Sequence, residues 1–299
     1  MNELVKRVIV AFIGIPLAIF IIYMGGWIFF AAVILFSAFA LWEFYRIAEK
    51  KNSFPNKIPG IIMGVLMMIL FYYRSFLHDL IWLLISNVLF VMIIFFLELI
   101  RKKPNGLLNI STTIGGILYV IFPFSCLIGI REFYSLVSNY QIIGESIGFE
   151  PKMYYEALSG SAGCGWFVVN VFITVWIGDS AAYFIGKKWG KHKLFPRISP
   201  KKTWEGAIAG FVFSIIALVV TSNFLTPRFP LKHALIIGSI IGVIGQIGDL
   251  AESLLKRDAG IKDSSGILPG HGGVLDRFDS ILFVAPTVYI YLLLIPYLF

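Results

Sequence analysis

Apolar residues run almost unbroken from Val8 to the last residue, interrupted at short intervals by charged or glycine-containing segments. A helix that crosses the hydrocarbon core of a bilayer needs about 20 mostly apolar residues. Nine runs approach that length: 8–25, 27–42, 58–73, 80–100, 113–130, 164–186, 205–225, 234–250 and 280–298. Nothing between them is long and polar enough to fold separately. The pattern therefore predicts one membrane domain over 1–299, an all-α polytopic helix bundle of about nine spans. The opening MNELVKR before an apolar run has the shape of a signal peptide. However, the run continues through Met24 into Gly25-Gly26 and a further apolar stretch with no A-x-A site, so it reads as a retained first span.

Composition points the same way. Apolar and aromatic residues make up 58% of the chain and charged residues 14%, with a mean hydropathy of +0.85. Soluble domains sit near 45–50% and about 25%, which argues against a soluble enzyme. The net charge of +8 would suggest a nucleic-acid partner in a soluble protein. In a membrane protein it is a matter of topology, and no nucleic acid is expected. With the N-terminus inside, the inside segments hold Lys6, Arg7, Arg46, Lys50, Lys51, Lys57, Arg101, Lys102, Lys103, Lys187, Lys188, Lys191, Lys193, Arg197, Lys201, Lys202, Lys256, Arg257, Lys262 and Arg277. Only Arg74, Arg131, Lys152, Arg228 and Lys232 of the 25 basic residues remain outside. This bias supports a cytoplasmic N-terminus, because one helix more or fewer would scramble the alternation. Cys126 and Cys164 sit in apolar context without metal-ligand spacing and read as packing residues.

The first 160 residues read mainly as scaffold. Their spans carry almost no ionisable group except Glu98, which can pair with Arg101 and Lys102 at the interface. The outside loop 131–163 shows no ligand pattern. The half from 164 to 299 differs. Asp179 lies inside an apolar helix, where a carboxylate costs about 2.5–3.5 kcal/mol on insertion scales and usually faces a polar cavity. The alternative is a pair with Lys187 or Lys188. The following loop, 187–204, holds seven basic residues. Contact with anionic headgroups would explain the charge alone. The order Ser199-Pro200-Lys201-Lys202-Thr203 ahead of Trp204 and Glu205 favours a phosphate at the start of the next helix instead. No Walker loop occurs.

The densest constellation spans 249–279, with six carboxylates and four fixed cations in 31 residues. Asp249, Glu252, Ser253 and Lys256 share one helical face, and Asp276 and Asp279 can point together near the start of the last helix. Between them, Gly270, Gly272 and Gly273 flank His271 and permit close backbone approach to a ligand. A few hard oxygen ligands beside cations suit Mg²⁺ shared with substrate phosphates. Taken singly, the aspartates could be caps, the glycines a turn and His271 an ordinary polar residue. Asp249 resists that reading, because it ends an uncharged run of 16 residues.

From Ser253 to Asp279 the chain resembles the signature of the phosphatidate cytidylyltransferase, or CDP-diacylglycerol synthase, family, S-x-x-K-R-x4-K-D-x4-[LIF]-P-G-H-G-G-x-x-D-R-x-D, at every fixed position. GDSAAYFIGKKWGK and SPKKTWEG are also similar to this family, so the resemblance is close over 176–280. It implies a multi-span fold, often dimeric, that transfers CMP from CTP to phosphatidate with Mg²⁺, alone or beside a second cation. Asp249 and Asp276, with Asp279 close by, would bind metal. Lys256, Arg257, His271 and Arg277 would act at the reacting phosphates. Substrate contacts would come from Asp179, Ser199, Lys201, Lys202, Thr203, Glu205, Ser253, Lys262, Asp263, Gly272 and Gly273. The expected setting is a cell membrane, with loops 187–204 and 251–279 and the active site on the cytoplasmic side. Two rival readings are a CTP-dependent polyprenol kinase-like enzyme and a transporter with buried aspartates. The second would be expected to show internal repeats, which are not evident.

Overall fold

A computed structural model describes residues 3–73, 77–133, 158, 160–227, 229–267, 270 and 272–298. Along these residues the elements are α1 (Glu3–Met24), α2 (Gly26–Glu49), α3 (Lys57–Tyr72), α4 (Leu77–Ile100), α5 (Gly106–Arg131), α6 (Gly160–Trp189), β1 (Lys193–Phe195), β2 (Ser199–Thr203), α7 (Trp204–Leu225), α8 (Leu231–Asp258), the single turn α9 (Leu275–Phe278) and α10 (Ile281–Leu298). Among the described residues, five helices are long and apolar enough to cross a membrane: α2, α5, α6, α7 and α8. Shorter apolar helices lie at Phe12–Met24, Lys57–Tyr72, Leu84–Ile100 and Ile281–Ile295. Large apolar side chains such as Phe12, Leu99 and Phe224 are 80–84% exposed. Such an outer surface is matched to lipid rather than water.

Several helices outrun the apolar stretches that predict them. The second span, expected over 27–42, is a 24-residue helix because Glu43 and Tyr45 continue it with their side chains turned inward. The fifth begins at Gly106 rather than 113, with Asn109 and Thr113 buried, and contains a π-helical turn at Ile117–Ile121. The eighth runs to Asp258, so Ser253, Lys256 and Arg257 are helical and the loop expected from 251 begins after the helix. The basic loop 187–204 is largely structured. α6 extends to Trp189, and an antiparallel hairpin pairs Lys193 with Thr203 and Phe195 with Ser199. Asp276 and Asp279 do not open the last long helix. They sit in α9 and in the corner before Ile281.

α6 and α7 meet through small residues at four-residue spacing, Gly178, Ala182 and Gly186 against Gly206, Gly210 and Ser214. A Cβ on Gly178 would stand 2.3 Å from Ser214 Oγ. Close backbone approach of this kind takes the place of a hydrophobic driving force between helices in lipid. It fixes the hairpin, which joins these two helices, at one end of the bundle. Other contacts gather at that same end: Lys51 pairs with Asp258 at 3.2 Å, and Asn105 donates to the Asn52 carbonyl at 3.0 Å. At the opposite end the buried Arg131 donates to the Ile22 and Tyr23 carbonyls at the close of α1. Cys126 and Cys164 are both buried.

Candidate active site

The end that carries the hairpin also carries the acidic cluster. Asp249 is placed by α8, and its neighbour Gly248 lets that helix touch the α9–α10 corner: a Cβ there would lie 2.6 Å from the Asp279 carbonyl. Asp249 and Asp279 are thereby brought within electrostatic reach of each other, and Asp179 on α6 feels both. Burial, followed by the charges of Asp249 and Asp179, pushes the Asp279 carboxyl above its ordinary range, although the Ser280 N–H donates to it at 2.7 Å. Asp179 is exposed and makes no ion pair with Lys187 or Lys188. Those two ammonium groups lie instead over the rings of Tyr183 and Trp189, at 5.8 and 4.6 Å. The pairing alternative for Asp179 is thus not what the fold adopts.

The hairpin supplies the counter-charge. Lys202 Nζ stands 2.8 Å from Asp249 Oδ2, and the Ser253 hydroxyl donates to Asp249 Oδ1 at 3.3 Å. Strand alternation separates Lys201, which is exposed, from Lys202. Ser199 opens β2 opposite Phe195. Thr203 caps α7, its hydroxyl accepting from the Gly206 N–H at 3.2 Å. Glu205 turns back to His192, with Oε1 2.7 Å from Nδ1, and so ties the helix to the hairpin. Arg257 lashes the hairpin to α8 by donating to the carbonyls of Ile198 and Ile261.

A second, buried group lies behind the first. Lys256 Nζ is 2.7 Å from Asp276 Oδ1 and also pairs with the fully buried Glu252 one helical turn earlier. Asp276 accepts from the Ser264 N–H, the Ser264 hydroxyl at 3.0 Å and the Gly273 N–H at 2.7 Å. Burial opposes its ionisation, but the Lys256 ammonium and the Gly273 N–H outweigh burial and hold the carboxyl down at about 2. The fold thus favours the charged form of Asp276. Phe278 pegs α9 in place, its ring lying 5.6 Å from Phe36, 5.0 Å from Phe124 and 6.3 Å from Phe172. Lys262, Asp263 and Arg277 are exposed around this rim, and Gly272 turns the chain at φ +79°. His271 lies outside the described residues.

Among the described residues, no three acidic, histidine or cysteine side chains stand close enough to form a ready metal cage. Mg²⁺ does not require one. It commonly keeps several waters and takes one or two carboxylates together with substrate phosphates. Asp249 and Asp279, hard oxygen donors whose mutual repulsion raises one carboxyl, have the chemistry of such a site. Asp249 and Asp276 each already hold an ammonium group within 2.8 Å, so positive charge is favoured at both.

The sequence reading missed one residue of this end altogether. Glu43 of α2, fully buried, accepts from Ser264, Ser265, Val274 and Leu275. Its only signal was a carboxylate directly after an apolar run.

The family model for the cytidylyltransferase family matches residues 5–295. The chain belongs to the cytidylyltransferase family. A relative named phosphatidate cytidylyltransferase from a Synechocystis species is 33% identical over 291 residues, 97% of each chain. Relatives of the same name from Staphylococcus saprophyticus and Bacillus subtilis are 48% and 46% identical over 127 and 128 residues, covering 42% and 43% of this chain and about half of each relative, 49% and 48%.

Proposed function

We propose that this cytidylyltransferase transfers CMP from CTP to phosphatidate, giving CDP-diacylglycerol and pyrophosphate. The observation that carries the reading is the convergence of Asp249, Asp276 and Asp279 with Lys202 at one end of a membrane bundle. One substrate is a soluble triphosphate and the other a lipid phosphate, so the site must stand at an interface and offset the repulsion of two anions. Full-length similarity to a relative named for this reaction supports it.

Asp249 and Asp276, with Asp279 beside them, would hold Mg²⁺. The metal, when bound, supplies charge to the triphosphate and its pyrophosphate leaving group. Lys202 meets phosphate charge next to Asp249, while Lys201 and Arg277 extend the positive rim. The phosphatidate oxygen is already anionic at cytosolic pH and attacks the α-phosphorus of CTP directly, so no side chain need be deprotonated. Ser253 donates its hydroxyl proton to Asp249 and is not paired with a histidine base. The enzyme is proposed to lie in the cell membrane with nine spans, an inside N-terminus and the site facing the cytoplasm. The basic loops support that side. Dimerisation, implied by family resemblance, would appear in the mass of the detergent-purified protein.

The assay uses purified protein with Mg²⁺, α-labelled CTP and either phosphatidate or polyprenol. Pyrophosphate and labelled CDP-diacylglycerol are expected with phosphatidate, and no label on the protein when lipid is omitted. CDP release with polyprenol alone would favour the kinase-like alternative, and label on the protein that chases into lipid would replace direct displacement with a covalent route.

A further inference from the structure

The N-terminal half contributes one side chain to the signature loop, and its chemistry is specific. Glu43 is a carboxylate with no exposed surface, two turns from the end of a helix that is apolar up to that point. Its Oε2 accepts from the Leu275 N–H at 2.7 Å and from the Ser264 hydroxyl at 2.9 Å. Its Oε1 accepts from the Val274 N–H at 3.1 Å and from the Ser265 hydroxyl. Both oxygens are thus spent on the two stretches of chain that enclose the glycine turn. Val274 stands just ahead of α9 and Leu275 opens it, so their N–H groups have no partner within so short a helix. The fit is close: a Cβ on Gly273 would lie 2.5 Å from both Glu43 oxygens. Ser264 also contacts Asp276 Oδ2 at 3.0 Å, so a single hydroxyl stands between the two carboxylates and can donate to only one at a time.

We infer that Glu43 is a positioning residue of the transferase site: it fixes the start of α9 and Ser264, and through them the direction in which Asp276 presents its carboxylate. A carboxylate costs free energy at this depth, and an apolar residue would pack there at lower cost. What the carboxylate adds is charge-assisted hydrogen bonds to both stretches of chain, from the Val274 and Leu275 N–H groups and the serine hydroxyls, that define the loop's place relative to α2. The inference rests on the reading of Asp276 as a metal-binding residue in the proposed reaction.

The test compares Glu43→Gln with wild type in full-length, detergent-purified protein, using Mn²⁺ as the metal probe read by electron paramagnetic resonance. Amide exchange of Val274 and Leu275 and kcat per folded molecule are measured alongside. Glutamine keeps one acceptor oxygen but turns an NH₂ toward donors, so those two amides should exchange faster. Mn²⁺ affinity and kcat should each fall about 10–100-fold, the usual cost of losing a group that orients a metal ligand, with KM for CTP little changed. Tyr45→Phe, which removes another buried hydrogen bond of α2 (to the Thr113 carbonyl, 2.9 Å) away from the loop, should leave Mn²⁺ affinity unaltered. If Glu43→Gln does not fold, Ser265→Ala removes a donor from the loop side and should move Mn²⁺ affinity in the same direction. Wild-type Mn²⁺ affinity and kcat in the folded variant would overturn the inference. Absence of CDP-diacylglycerol synthesis by the wild type would instead overturn the proposed reaction, and the Mn²⁺ and exchange data would still judge Glu43.

Discussion

At the scale of single residues, the two aspartates assigned to metal differ in what else they do. Asp249 is partly exposed, with one lysine and one serine as partners. Asp276 is buried, and Lys256, Ser264 and Gly273 all depend on it. Asp249→Asn and Asp276→Asn should each reduce turnover by about 100-fold or more, since an amide brings no charge to the metal. Their stabilities should separate. Breaking a buried ion pair costs about 3–5 kcal/mol, so Asp276→Asn should unfold at clearly lower temperature, while Asp249→Asn stays within about 1 kcal/mol of wild type. Thermal unfolding in detergent beside the activity assay reads both. Near-wild-type turnover in either variant removes that residue from the ligand set.

At the scale of elements, the hairpin gives two neighbouring lysines different surroundings. Lys202 reaches Asp249, while Lys201 points away from it on the next strand position. Lys202→Ala should raise KM for CTP or lower kcat about tenfold, with Lys201→Ala a smaller change, because only the first meets phosphate charge beside the carboxylates. If both variants keep CTP kinetics and alter only lipid binding, the headgroup reading stands. The hairpin itself was hidden in the sequence: KLF and SPKKT carry no alternating apolar face, and it is held by side chains outside the strands, Glu205 on His192 at its base and Arg257 on Ile198 at its turn. Apolar runs revealed the helices well but ended them early wherever a polar residue faced inward, as at Glu43, Asn109 and Ser253. The i, i+3, i+4, i+7 face of α8 was legible because its residues are close in sequence. Glu43 was not, because its partners Ser264 and Leu275 lie 221 and 232 positions away and only packing brings them together.

At the scale of the whole molecule, the contacts tie together segments that the charge count could only place on a common side. Lys51 meets Asp258, Asn105 meets Asn52, Arg257 meets Ile198, and Lys202 meets Asp249. The hairpin and the signature loop therefore share one end of the bundle and must face the same compartment. CTP is cytosolic and basic loops favour the cytoplasmic side, so that end should be inside. The check begins from a cysteine-free background, Cys126→Ala with Cys164→Ala, both buried in the native chain. Single cysteines then replace the exposed Lys191, Lys262 and Pro227, the last on the connection between α7 and α8. An impermeant thiol reagent should label position 227 in intact cells and reach 191 and 262 only after permeabilisation. Labelling of both 191 and 262 in intact cells would invert the orientation, and labelling of one without the other would contradict the single shared end from which the site is built.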